Sequence, residues 1–141
     1  MSVTYIPADL RRLVIARANN VCEYCRIPAS ASFYGCEIDH VVSEKHDGRT
    51  DAANLALACF VCNRNKGSDV ATIDPATGAF VGFFHPRTDS WSDHFALDST
   101  DGVTFTGLTA IGVATIRIFG INDADRVFER SILRNAGRYP G

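Results

Sequence analysis

The sequence has no uninterrupted apolar run approaching the ~20 residues that a membrane-spanning helix requires. No charged-then-apolar leader opens it, so the expectation is a cytoplasmic protein with no membrane partner. It also lacks a strong net charge: 14 Lys and Arg against 16 Asp and Glu leave −2. A nucleic-acid binder is more often basic, so phosphate contact here would have to come from a local basic face. Internal repeats, low-complexity segments and linkers rich enough to split the chain are missing as well. The 141 residues suit one domain, 1–141, of a size that folds without covalent staples.

What the chain does have is five cysteines, Cys22, Cys25, Cys36, Cys59 and Cys62. Four form two Cys-x-x-Cys pairs separated by 33 residues. In a cytoplasmic chain this pattern reads as metal binding before disulfides. Thiolates two residues apart bind one ion from a tight turn, and two such turns complete a tetrahedral S4 site for Zn²⁺. A redox dithiol would need only one pair. A closed S4 site leaves no position for water, so this zinc is expected to be structural. Cys36 is left over and is expected to face the core as a small hydrophobe.

Along the chain, residues 1–6 read as extended. Pro7 at a first helical position, followed by apolar residues at helical spacing, predicts a helix over 7–18 ending at Asn19-Asn20, with Arg11 and Arg12 on its solvent side. Cys22 to Cys25 is a tight knuckle. Residues 33–42 are aromatic and β-branched and predict a strand. Residues 43–53 are a polar loop, 55–58 a second strand, and Phe60 to Lys66 a short helix stopped by Gly67. Beyond the core motif, 21–70, lies an extension, 71–141. It carries a turn over 74–78, expected strands at 80–84, 91–97 and 103–105, a segment at 108–119 whose β-branched residues favour a strand and whose spacing permits a helix, read as helix, and a final helix over 123–136 capped by Asn122 or Asp123. That last helix places Arg126, Arg130 and Arg134 at i, i+4 spacing, with Arg138 following. The stripe is either a solvated face beside Glu129 or a track for a nucleic-acid backbone.

The chemistry concentrates between Glu37 and Gly67. Asp39-His40 is followed by Asn54 and then by Asn63, which directly succeeds the second Cys-x-x-Cys. Two knuckles flanking a strand-strand-helix with Asp-His, Asn and Asn at these spacings resemble the HNH endonuclease family. The third letter is Asn here where many members carry His; variants with Asn at that place, including the HNH domain of RNA-guided CRISPR nucleases, are active. The wider run from Val21 to Pro140 is similar to a group of small stand-alone bacterial HNH proteins, through E-K-H, N-L-A-L-A-C, C-N-R-N-K-G-S-D, I-D-P-A-T-G, H-P-R, W-S-D-H-F and the closing A-G-R-Y-P. Asp47 stands where a second loop glycine is expected.

The resemblance implies an α+β fold with a ββα-metal (His-Me finger) core, two zinc knuckles, an N-terminal helix and a C-terminal β/α extension, in the bacterial cytoplasm. It also implies a metal-dependent endonuclease that hydrolyses phosphodiesters in DNA, with RNA left open as a substrate. His40 would be the general base, Asp39 and Asn63 the ligands of one Mg²⁺ or Mn²⁺, and Asn54 the residue that holds the loop around His40. The residue types suit this chemistry. Imidazoles ordinarily titrate near ~6.5 and accept a proton at neutral pH, and hard cations prefer carboxylate and amide oxygens. Adjacent strand residues face opposite sides, so Asp39 and His40 can share a site only where the strand ends, twists or bulges. Arg64, Lys66, Arg49 and Lys45 are the candidate phosphate contacts. The alternatives are a non-catalytic zinc-knuckle module that only binds nucleic acid and, more weakly, a thiol redox protein. Oligomeric state and target sequence are left open.

Overall fold

The computed structural model describes residues 4–141. Of the extended start expected over 1–6, the first three residues lie outside the described residues, and 4–6 carry no regular secondary structure. Helix α1 (Ala8–Arg17) follows Pro7, which sits at the cap and not at the first helical position. Asn19 and Asn20 both adopt positive φ, 54° and 55°. Asparagine tolerates this left-handed conformation, and two in succession end the helix and turn the chain into the first knuckle.

Strand β1 (Cys36–His40) pairs antiparallel with β2 (Leu55–Cys59), Cys36 opposite Cys59 and His40 opposite Leu55. β1 is shorter than the 33–42 expected: Gly35 at φ 69° turns the chain and leaves Phe33 and Tyr34 outside the ladder. Helix α2 (Phe60–Lys66) follows β2 without a loop. The Cys59 thiol caps it, its Sγ accepting from the Cys62 amide at 3.5 Å. α1 packs across the hairpin, where Ile6, Val14, Leu55 and Leu57 form a small core.

The extension contributes two further two-stranded antiparallel sheets. β3 (Ala71–Ile73) pairs with β4 (Phe80–Gly82) across the turn expected at 74–78; β3 was not anticipated. The strand expected over 91–97 is a single helical turn, α3 (Trp91–His94), that feeds β5 (Phe95–Leu97). The Trp91 indole donates to the Tyr24 carbonyl at 3.0 Å, which holds the turn against the first knuckle. β6 (Phe105–Gly107) lies two residues later than the strand expected at 103–105, because Asp101 first closes a turn by accepting from the Val103 and Thr104 amides. Helices α4 (Ala110–Phe119) and α5 (Ala124–Asn135) complete the chain. Asp123 occupies the cap position of α5 but makes no side-chain cap bond. Asn122 instead bonds the Phe105 backbone in both directions, at 2.9 and 2.8 Å.

The larger core joins both parts of the chain. Tyr24 and the knuckle cysteines pack with Phe84, Phe95, Phe105, Phe119 and Ile121. Tyr24 meets Phe119 edge-on at 5.0 Å, and the tail returns so that Tyr139 donates to the Cys25 carbonyl at 2.7 Å. The result is a mixed arrangement of helices and small sheets around a four-cysteine cluster. No helix of the described residues is long and apolar enough to cross a membrane.

Candidate active site and metal centre

The sulfurs of Cys22, Cys25, Cys59 and Cys62 all lie within 4.8 Å of one another, and Cys25 and Cys59 are 3.7 Å apart. Tetrahedral Zn–S bonds of ~2.3 Å place neighbouring sulfurs about 3.8 Å apart, so the cluster fits a structural zinc. Each knuckle is shaped by its own amides: Cys25 N donates to Cys22 Sγ, as Cys62 N does to Cys59 Sγ, both at 3.5 Å. Four buried thiols cannot all ionise without a cation. Burial holds the Cys22 and Cys62 thiols well above the usual range, while hydrogen bonds from its three neighbours pull Cys59 far down.

Arg126 was not anticipated here. It is buried, and its guanidinium donates to Cys62 Sγ at 3.1 Å and Cys59 Sγ at 3.7 Å. A zinc bound by four thiolates carries two negative charges, and Arg126 offsets one of them. Burial alone would lower the Arg126 pKa, but the charges of Cys62, Cys25 and Cys59 outweigh it and raise it. Arg130 is also buried, donating to the Val103 and Ile121 carbonyls at 2.9 and 2.8 Å. The stripe read from the last helix is therefore corrected: Arg126 and Arg130 face inward, and of its members only Arg134 and the trailing Arg138 are exposed. Spacing of i, i+4 shows that residues share a face but not which way the face points.

Cys36 is half-buried and packs against both cores. Burial pushes its thiol up to about 12, consistent with an inert packing residue.

The second centre is a cavity of about 610 Å³ between β1, α2 and the loop after β1. Glu37, Asp39, His40 and Asn63 all line it. Glu37 and Asp39, two apart on β1, both meet residues of α2, as strand alternation requires. The Asn63 amide donates to Glu37 Oε2 at 2.6 Å. Asp39 is buried, 3.2 Å from the ammonium of Lys66, and accepts from the Tyr24 hydroxyl at 3.2 Å. Burial raises the Asp39 pKa, against the opposing pull of Lys66. His40 is the last residue of β1 and turns towards the loop, its Nε2 2.9 Å from Thr50 Oγ1 and 3.6 Å from Glu44 Oε1. The strand ends there, so the two neighbours border one cavity from different sides.

Asn54 pins that loop. Its Nδ2 donates to the Val42 and Arg49 carbonyls at 2.8 and 2.9 Å, and its Oδ1 accepts from Val42 N at 2.9 Å. Gly48 packs so tightly that a Cβ would lie 1.6 Å from the Val42 oxygen; no other residue fits. Asp47 takes the left-handed conformation at φ 63° expected of a glycine there, which aspartate tolerates.

Residues 22–69 match the HNH endonuclease family. The matched HNH segment holds all four cluster cysteines and the whole Glu37–Asn63 constellation, and agrees with the resemblance read from the sequence. It covers less than half of the chain. No curated protein and no solved structure matches.

The candidate phosphate contacts divide. Arg64 and Lys45 are exposed and line the cavity beside His40. Arg49 is exposed but pairs with Asp51 at 3.2 Å and is not among the lining residues. Lys66 is only 2% exposed; its ammonium bonds Asp39 and the His40 carbonyl, the latter at 2.8 Å, so it is not available at the surface. Glu37, Glu44, Thr50, Lys66 in this inward role and Arg126 were missed. Only Glu37 left a signal: Glu-x-Asp puts two carboxylates on one strand face.

Proposed function

We propose that the chain is a metal-dependent endonuclease that hydrolyses phosphodiester bonds in DNA, leaving 5′-phosphate and 3′-hydroxyl ends. Its catalytic unit would be the ββα-metal core of residues 21–70, working within one domain of 1–141. The observation that carries this reading is the cavity where His40, two carboxylates and an amide meet, rimmed by Arg64 and Lys45, inside the HNH-matched segment.

In this reading His40 takes the proton of the attacking water. With the proton on Nε2 donated to Thr50, Nδ1 presents a lone pair and acts as the base. Glu44, close to Nε2, stabilises the imidazolium that forms, as a carboxylate does in a catalytic triad. Asn54 keeps the loop carrying Thr50 and Glu44 in register with β1. Asp39 and Asn63, with Glu37 beside them, are oxygen donors suited to Mg²⁺ or Mn²⁺. Such a cation supplies polarisation of the phosphoryl group and charge stabilisation at the leaving oxygen. Lys66 orients the Asp39 carboxylate and offsets part of its buried charge. Arg64 and Lys45 hold flanking phosphates. The four-cysteine zinc fixes the start of α2, and with it Asn63.

One observation favours a second reading, a non-cleaving zinc-knuckle module: Asp39 and Asn63 already have protein partners in Lys66 and Glu37. Supercoiled plasmid separates the two. Wild type should nick or linearise it with Mg²⁺ or Mn²⁺ and leave it intact without them. His40→Ala should keep its zinc and melting temperature and lose about 10²–10⁴ in rate, the usual worth of general-base catalysis. Equal single-turnover cleavage by the two proteins would remove the nuclease reading of this site.

A further inference from the structure

Just before β1, Phe33 and Tyr34 are 93% and 66% exposed. They are not isolated. Phe33 meets Tyr34 edge-on at 5.0 Å and 84°, and Tyr34 lies against Phe60 at 4.5 Å and only 31°. The three rings form a stepped row from solvent inward. Phe60 is the first residue of α2 and lines both the catalytic cavity and a neighbouring groove of about 250 Å³ that also contains Phe33 and Tyr34. Arg64 stands one helical turn beyond Phe60, on the same side, and lines the catalytic cavity. Phe80 and Phe128 are also well exposed, at 84% and 66%, but neither has a ring partner among the described residues.

We propose that this row is a stacking platform for unpaired nucleotides, so that the preferred substrate is a nucleic acid with a single-stranded stretch beside the scissile phosphate. The inference rests on the nuclease reading above and names its substrate class. The occupant follows from three features on one surface. Exposed aromatic faces bind any base through its π-face. The row runs without a break, through Phe60, into the cavity that holds His40. The Arg64 guanidinium, unpaired among the described residues, follows at the spacing of the next helical turn, where the strand's phosphate would lie. Paired bases are hidden in their stack and cannot use such faces, whereas unpaired ones can. Phe33 is not part of either core cluster, and the ladder begins only after Gly35.

The test measures binding of one labelled oligonucleotide, single-stranded and as a duplex, in buffer without added Mg²⁺ or Mn²⁺. The proteins are wild type, Phe33→Ala, Phe33→Ala/Tyr34→Ala and Phe33→Tyr/Tyr34→Trp. The double alanine variant should bind the single strand roughly tenfold more weakly per lost stack, with duplex affinity within about twofold of wild type. The variant that keeps both rings aromatic should restore binding. Zinc content and melting temperature should match wild type throughout. Unchanged single-strand affinity, or an equal loss on both forms, overturns the proposal. So does a wild-type dimer that the double alanine variant dissociates, since the row would then be a self-association surface. Failure of the nuclease reading shows separately, as plasmid cleavage by His40→Ala, and does not alter these binding outcomes.

Discussion

The motif region, 21–70, and the extension, 71–141, reach order by different routes. In the motif region each element specifies its successor over short distances: the knuckle amides point at their own cysteines, β2 runs directly into α2, and Asn54 ties off the loop between the strands. The extension has strands of three residues each, and isolated hairpins of that size are marginal in water. They persist because Phe84, Phe95, Phe105 and Phe119 pack with Tyr24 and the knuckle cysteines. The extension lends the motif region a lid: Arg126 reaches the thiols, Tyr139 reaches Cys25, and Asn65 on α2 donates to the Phe119 carbonyl at 2.7 Å. The HNH-matched region is thus tied at three places to the part of the chain outside that match.

The most severe way to break this arrangement is Cys59→Ser. It removes one thiolate from the cluster while leaving a hydroxyl that can still cap α2, so the loss reports the metal centre. Structural zinc contributes about 10–16 kcal/mol in small zinc domains, comparable to the ~5–15 kcal/mol total stability of a typical protein. The variant should lose zinc, cooperative melting and activity at once, and the aromatic near-ultraviolet circular dichroism of the extension should vanish with them. An extension that keeps that signal would show that it folds without the metal centre, and the dependence argued above would run one way only.

Arg126→Met is the next step down, and it strikes the joint from the other side. Methionine keeps much of the side chain's volume but leaves the thiolate charge uncompensated. Removing one partner of a buried charge pair typically costs ~3–5 kcal/mol. Urea unfolding should register a loss of that order, and zinc should pass faster to a coloured chelator. Loss of stability with unchanged zinc release would mean that Arg126 serves packing and its bond to the Phe119 carbonyl, not the metal.

The same contrast explains what could be read from the sequence. α1, α2, α5 and the four-cysteine cluster were legible because each depends on spacing or on a local stop, and Gly67 and Gly137 take positive φ at helix ends; α4 was legible only as a choice between strand and helix, which Gly120 at φ 63° and the Thr109 cap settle. The place of Asp39 and His40 at a strand end was legible as a requirement. What was not legible is set by distant partners. The 91–97 segment has β-type residues, yet Trp91 is drawn to the Tyr24 carbonyl and the chain coils for one turn. Lys66 reads as a surface cation from its neighbours, yet a buried carboxylate 27 residues earlier pulls it inside. Arg126 meets its sulfurs across more than 60 residues of chain; no local pattern encodes that.

The smallest effect tests which half carries the substrate. Arg64 is exposed, lines the cavity beside His40 and has no ion-pair partner among the described residues. Arg134 is exposed on α5 and is the natural control, because it belongs to the same stripe whose other two members turned inward. One phosphate contact on duplex DNA contributes about 0.9 to the dependence of log affinity on log salt. Arg64→Ala should therefore lower the magnitude of that slope by about 0.9 and weaken binding most at low salt, with melting temperature unchanged, while Arg134→Ala should leave the slope as it is. Fluorescence anisotropy over a salt series measures both. The reverse result would place the DNA backbone across the extension. The division of labour would then invert: the motif region would cut a strand that the extension holds, and the inward turn of Arg126 and Arg130 would leave Arg134 and Arg138 as the anchors of that grip.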